Sequence, residues 1–174
     1  MDRSLFFVAA LMLGGCSASS HAGVHAARPT STCAGGVVHG DAELARYVGC
    51  RSVGHLDVRG VSTLAPLRSL ERVDGTLRIE QTDELYSLAG LERLRSVDTL
   101  VVRDNAALIS AGALGKLGHV RLTRVSNNPR LTKTYGLFDA IGKSGGSVYL
   151  SKNSGLTAEG VPESDVLSSA VAAR

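Results

Sequence analysis

The stretch "VVRDNAAL", residues 101–108, decides how this chain is read. The same eight-residue shape returns as "RVSNNPRL" at 124–131 and "YLSKNSGL" at 149–156, each with an aliphatic residue second, Asn fifth and Leu eighth. Working backwards, "RIEQTDEL" (78–85) and "DVRGVSTL" (57–64) fall into the same register. The second position then runs Val58, Ile79, Val102, Val125, Leu150, and the eighth Leu64, Leu85, Leu108, Leu131, Leu156, at steps of 21, 23, 23 and 25 residues. A recurrence on that scale is sought before any single element is assigned, because it signals one supersecondary unit used repeatedly.

Each unit has a second inward residue two places earlier: Leu56, Leu77, Leu100, then Thr123 and Val148. Apolar residues two apart predict a short strand with one buried face. Behind the closing Leu the spacing changes to threes, as in Leu67/Leu70, Leu88/Leu91/Leu94 and Leu114/Leu117, which predicts a helical or irregular return. No unit is large enough to bury its own apolar face. Stacking them side by side gives one continuous core. The expectation is an α/β solenoid of about five short parallel strands with helical or irregular returns.

Asn105, Asn128 and Asn153 fall three residues after the inward strand residue, where the chain must leave the strand. Asn tolerates left-handed backbone and bonds nearby main chain through its amide. Repeated at one corner, these side chains can also satisfy the neighbouring coil, so they are expected to be structural. Val61 and Thr82 occupy this slot in the first two units, which predicts a different turn there.

Composition narrows the function classes. At 174 residues the chain holds one modest domain plus appendages. A formal charge of +3, no dense Lys/Arg run and only 4% aromatic residues argue against a nucleic-acid partner. Residues 1–15 read as a signal peptide: Arg3, then the apolar run "LFFVAALML" (5–13), which is too short to span a bilayer. It leads into Leu13-Gly14-Gly15-Cys16, which resembles the lipobox of bacterial lipoproteins, in which the Cys becomes the lipidated first residue. That resemblance implies membrane attachment at Cys16 through more than one acyl chain, since one chain alone binds only marginally. Ser17, rather than Asp, then points to the outer membrane. Residues 16–32, rich in Ser, Ala, Thr and Gly, read as a flexible tether. With Cys16 used for lipid, Cys33 and Cys50 remain. They can pair as a disulfide in an oxidising compartment, or join His39 or His55 at a metal, although no CxxC or HxxxH spacing inside the domain supports the metal.

The segment from Cys33 through "YVGCRSVGHLDVRGVSTLAPLRSLERVDGTLRIE" resembles the start of a receptor L domain, the leucine-rich-repeat-like module of insulin- and epidermal-growth-factor-type receptor ectodomains. Val73-Asp74-Gly75-Thr76-Leu77-Arg78-Ile79 carries the V-x-G-x-L-x-I unit best, while the units at Val53 and Val97 are one residue shorter. The match covers residues 33–161, and "HVRLTRV" in the fourth unit departs from it. The resemblance implies a right-handed coil whose first disulfide closes the open N-terminal end, with Cys33 and Cys50 at those two positions. An end cap is needed on physical grounds, because the first coil would otherwise expose core and strand edge. "GGVVHGDAELARYVGC" has Leu44 and Tyr47/Val48 at helical spacing after Asp41 as a candidate N-cap. Residues 162–174 are expected to form a C-terminal cap or tail.

Parallel strands would line up two outward rows. One is Asp57, Arg78, Val101, Arg124, Tyr149; the other is Arg59, Glu80, Arg103, Ser126, Ser151. Neighbouring strands lie about 4.8 Å apart, so Asp57 faces Arg78, and Glu80 sits between Arg59 and Arg103. The candidate binding face is therefore Asp57, Arg59, Arg78, Glu80, Arg103, Arg124 and Tyr149, an Arg-rich strip with Tyr at one end. Arg and Tyr are the residue types that dominate interface energetics. The competing reading is cross-strand charge pairing that serves only solubility and register. No catalytic constellation is visible. His39, His55 and His119 lack a nucleophile partner, the carboxylates are scattered, and "GKSGG" (142–146) lacks phosphate-loop spacing and reads as a turn. The sequence thus predicts a non-enzymatic, lipid-anchored module of the bacterial cell envelope, without metal or cofactor, that binds an envelope protein or glycan. A purely structural lipoprotein and a β-helix polysaccharide-active enzyme are the rivals.

Overall fold

The protein is described by a computed structural model covering residues 31–156. The expected signal peptide, Cys16, the expected tether up to residue 30 and everything after 156 lie outside the described residues. Eight strands form one open sheet: β1 (Thr32–Cys33), β2 (Gly36–His39), β3 (Ser52–Val53), β4 (Leu56–Arg59), β5 (Arg72–Glu80), β6 (Ser96–Arg103), β7 (His119–Ser126) and β8 (Ser147–Ser151). Every pairing is parallel. β5 pairs with both β3 and β4, so those two short strands match the two halves of one longer one, and β1 and β2 repeat the division a layer earlier. The helical pieces are short: α1 (Asp41–Leu44), α2 (Tyr135–Ser144), and 3-10 turns at Ala45–Tyr47, Ala65–Leu67 and Gly112–Lys116. The architecture is α/β: an open parallel sheet whose crossovers run through short helices and turns.

The register follows the aliphatic rows. Val58 pairs with Ile79, Ile79 with Val102, Val102 with Val125 and Val125 with Leu150. Leu56, Leu77 and Leu100 are fully buried beside them, together with Leu64, Leu85, Leu108 and Leu131 and the return leucines Leu67, Leu70, Leu88, Leu91, Leu94, Leu114 and Leu117. One core cluster contains all of them. With no Trp and few other aromatics, branched aliphatics fill this interior, each fully buried one contributing about 1.5–3 kcal/mol. Gly90 shows how close the returns approach one another. Its φ is +113°, and a Cβ there would lie 2.2 Å from the Leu64 carbonyl oxygen, so a side chain would push the two returns apart.

Some expectations are corrected. The segment after Cys33 contributes β2 ahead of α1, a layer of sheet that the five-strand count did not include. Asp41 is not a cap: Gly40 occupies the N-cap position, and the Asp41 carboxylate instead accepts from the backbone N–H and the hydroxyl of Ser62 at 3.0 and 2.5 Å. Leu44 and Tyr47 are buried as expected, but Val48 is 61% exposed, because the chain leaves helical geometry there. "HVRLTRV" keeps register with both neighbours despite its unusual sequence. The cost is Thr123, fully buried in a leucine-type slot with its hydroxyl unpartnered. Most of "GKSGG" is not a turn: α2 runs to Ser144, and Gly145, at φ +67°, follows its end.

The corner is also built differently. Left-handed backbone falls one residue before the Asn column, at Gly60, Gln81, Asp104, Asn127 and Lys152, with φ of 55–58°. Units carrying Val61 and Thr82 therefore turn as the others do. The Asn side chains form a ladder across successive repeat units. Asn128 Oδ1 accepts from the Asn105 backbone N–H (3.2 Å) and Nδ2 (3.0 Å), while Asn128 Nδ2 donates to the Val102 carbonyl (3.1 Å). Asn153 Oδ1 accepts in the same way from Asn128 (3.0 and 3.1 Å), and Asn105 Oδ1 from the Thr82 N–H (3.2 Å) and hydroxyl (2.6 Å). A buried corner needs such partners for its main chain. Finally, Cys33 and Cys50 are joined as a disulfide, tying β1 to the loop entering β3.

Candidate functional site: the outward strand face

The sheet assembles both outward rows. Asp57, Arg78, Val101, Arg124 and Tyr149 are consecutive register partners, as are Arg59, Glu80, Arg103, Ser126 and Ser151. β2 extends them by Val37 beside Asp57 and His39 beside Arg59. The sequence reading missed this pair: "VVHGDAEL" (37–44) does carry an aliphatic second residue, Val38, and a closing Leu44, but Gly36 stands in the earlier inward slot that Leu56 fills in the next unit.

The two halves of the face differ. Over β4 to β6 the charges close on one another. Glu80 is 1% exposed although it occupies an outward position, because arginines fold over it. Arg59 Nη2 lies 2.6 Å from one of its oxygens and Arg103 Nε 2.5 Å from the other. The Glu80 carboxylate holds the Arg103 guanidinium above its usual pKa, first through that hydrogen bond and then through its charge. Asp57 accepts from Arg78 at 3.0 Å and lies 3.6 Å from Arg59. A carboxylate this buried is tolerated only because it is paired; removing its partners would leave an uncompensated charge. This half is a cross-strand ionic network that also pins register.

The half over β7 and β8 carries no such network. Arg124 is exposed, stands 5.8 Å over the Tyr149 ring, and has no carboxylate within ion-pair distance among the described residues. Tyr149 is 54% exposed. A guanidinium over an aromatic face is a cation–π contact worth about 0.5–1 kcal/mol at an exposed site. It leaves the guanidinium edge and the phenol free to donate. The expected strip is therefore one closed network plus one open Arg–Tyr pair, and Asn105, Asn128 and Asn153 serve the corner beside it rather than the face.

Two shallow concavities lie off this face. One, of about 290 Å³, is bordered by Asp41, Ser62, Asp83 and Glu84. The other, of about 340 Å³, lies among the returns, between Arg68, Ser69, Glu92, Arg93 and Lys116. Among the described residues no group of His, Cys, Asp and Glu is gathered as a metal would require, and no helix is long and apolar enough to cross a membrane. Compared with known proteins, the chain matches no family model, no curated protein and no solved structure.

Proposed function

We propose that the protein is a right-handed, leucine-rich-repeat-like solenoid of the receptor L domain kind, held at the bacterial cell envelope by lipid on Cys16, and that it binds a partner through the β7–β8 end of its outward strand face. Support for the solenoid comes from the pairing pattern: each repeat unit lies beside the next in sequence, in constant register, around one core. The disulfide at the N-terminal layer fits the end-closing role that the resemblance implies. The reading is a non-enzymatic binding or scaffolding module for an envelope protein or glycan, most simply in the outer membrane. No cofactor enters it.

The observation that carries the binding reading is the Arg124–Tyr149 pair, exposed and, among the described residues, without a carboxylate at ion-pair distance, beside a half-face whose charges are paired. A rigid sheet presenting a planar cation on a ring offers both a stacking surface and directed donors, to acidic side chains or to sugar hydroxyls. The test is capture from envelope extract by the full chain beside Arg124→Glu/Tyr149→Ala. Arg78 and Arg103 are left intact, because reversing them would strand Asp57 and Glu80. A specific partner lost only in the variant supports the reading, and identical capture by both contradicts it. For the anchor, Cys16→Ser should move the protein to the soluble fraction and abolish incorporation of labelled palmitate. Unchanged membrane association without label incorporation in the parent would refute lipidation.

A further inference from the structure

The concavity among the returns is lined by one position that recurs from unit to unit. Arg93 and Lys116 each immediately precede a buried leucine that closes a turn, Leu94 and Leu117, whose N–H groups bond to Leu91 and Leu114. Ser69 precedes Leu70 in the same way, one unit earlier. The stacking brings Ser69, Arg93 and Lys116 into one column at about strand spacing, with Arg68 beside them. Arg68, Arg93 and Lys116 are exposed, and among the described residues none has a carboxylate within ion-pair distance. The single acid at the rim, Glu92, is tied down: both its oxygens accept from the Gly90 N–H at 2.9 Å. The strand face spends its arginines on Asp57 and Glu80, whereas this concavity keeps an excess of two positive charges, three cations against one carboxylate, over about 340 Å³.

We propose that this concavity, lined by Arg68, Ser69, Arg93 and Lys116, binds a phosphate ester. Two guanidinium forks can each donate in parallel to a tetrahedral anion, an ammonium adds a point charge, and a hydroxyl donates once more. The same chemistry is offered by a free phosphate and by the headgroup of an anionic phospholipid. The site lies on the returns rather than the strand face, so it does not depend on the Arg124–Tyr149 reading or on Cys16.

The test uses the full chain carrying Cys16→Ser, so that no acyl anchor drives flotation, in three arms. Inorganic phosphate is titrated while the Arg and Lys side-chain NMR signals are followed. Flotation is measured with neutral phosphatidylcholine vesicles, and again with vesicles containing phosphatidylglycerol. Each arm is repeated on Arg93→Ser/Lys116→Ser, on Glu92→Gln, and on Arg130→Ser/Lys133→Ser, which removes the same charge elsewhere. The site should give shifts at Arg93 and Lys116 with phosphate, or a preference for anionic over neutral vesicles. Loss of two surface cations should weaken that preference by roughly thirtyfold. Glu92→Gln should strengthen it, and the distant double variant should change it far less. Phosphate shifts without a vesicle preference identify a soluble phosphate ester; the converse identifies a headgroup. No response in any arm, or equal loss in both double variants, overturns the proposal.

Discussion

Replacing Asn128 by Ala tests the corner ladder, and its size can be worked from the contacts. Asn128 is fully buried, and its amide connects three successive repeat units. The substitution removes the acceptor for the Asn105 N–H and for one Asn105 amide hydrogen, and the donors to the Val102 carbonyl and to Asn153. Lost hydrogen bonds cost about 1 kcal/mol each, and a buried group left unpaired costs about 1–3 kcal/mol. With the Asn105 N–H and the Val102 carbonyl stranded, the total is about 4 kcal/mol. That is a large share of the 5–15 kcal/mol typical of a whole domain. Asn153→Ala is the internal control: it also breaks ladder bonds, but at a half-buried site where water can replace them, so about 1–2 kcal/mol is expected. Urea unfolding followed by far-UV circular dichroism reads both. At a slope near 2 kcal/mol/M the midpoint should fall by about 2 M for Asn128→Ala and by less than about 1 M for Asn153→Ala. Equal small shifts for the two would refute the ladder as a structural device.

Three further outcomes follow from the same contacts. Glu80→Gln removes the carboxylate that Arg59 and Arg103 share, but those guanidiniums are partly exposed and can hydrate, so stability should fall by about 1–2 kcal/mol in the same assay. Thr123→Val removes a buried hydroxyl that has no partner while keeping the shape of the side chain, and should raise stability by about 1 kcal/mol. The Asp41 carboxyl is held below its usual value near 3.8, mainly by the Ser62 hydroxyl. A depressed folded-state pKa adds stability above the unfolded value that is lost as pH falls through the folded one. Ser62→Ala should therefore flatten the loss of stability below about pH 4, measured by thermal melts across that range, and leave the neutral-pH slope unchanged.

The core was legible because its signal is redundant. Val58, Ile79, Val102, Val125 and Leu150 are one position of a repeat, and five instances fix a register that a single strand could not. The outward rows came with it, since side chains alternate across a strand. What stayed hidden depends on non-local geometry. Glu80 reads as solvent-facing in any strand pattern, and only the paths of the Arg59 and Arg103 side chains across neighbouring strands bury it. The left-handed residues escaped because Gln81, Asp104, Asn127 and Lys152 share no residue type. Asn128, the more visible neighbour, drew the assignment. β2 went unseen because Gly36 replaces the earlier inward aliphatic and Asp41 the corner Asn, which left only Val38 and Leu44 to mark the unit. The basic column had a readable signal, a cation before the closing leucine at Arg93 and Lys116, but its third member is Ser69, which breaks the pattern.

Interstrand methyl contacts offer the shortest route to the central claim. In a sample labelled at Val, Leu and Ile methyls, nuclear Overhauser effects should connect Val58 to Ile79, Ile79 to Val102, Val102 to Val125 and Val125 to Leu150. None should connect Val58 directly to Val125, about three strand spacings or roughly 14 Å away. Contacts that skip a unit, or an absence of contact between successive units, would contradict the stacked architecture and the outward face built on it.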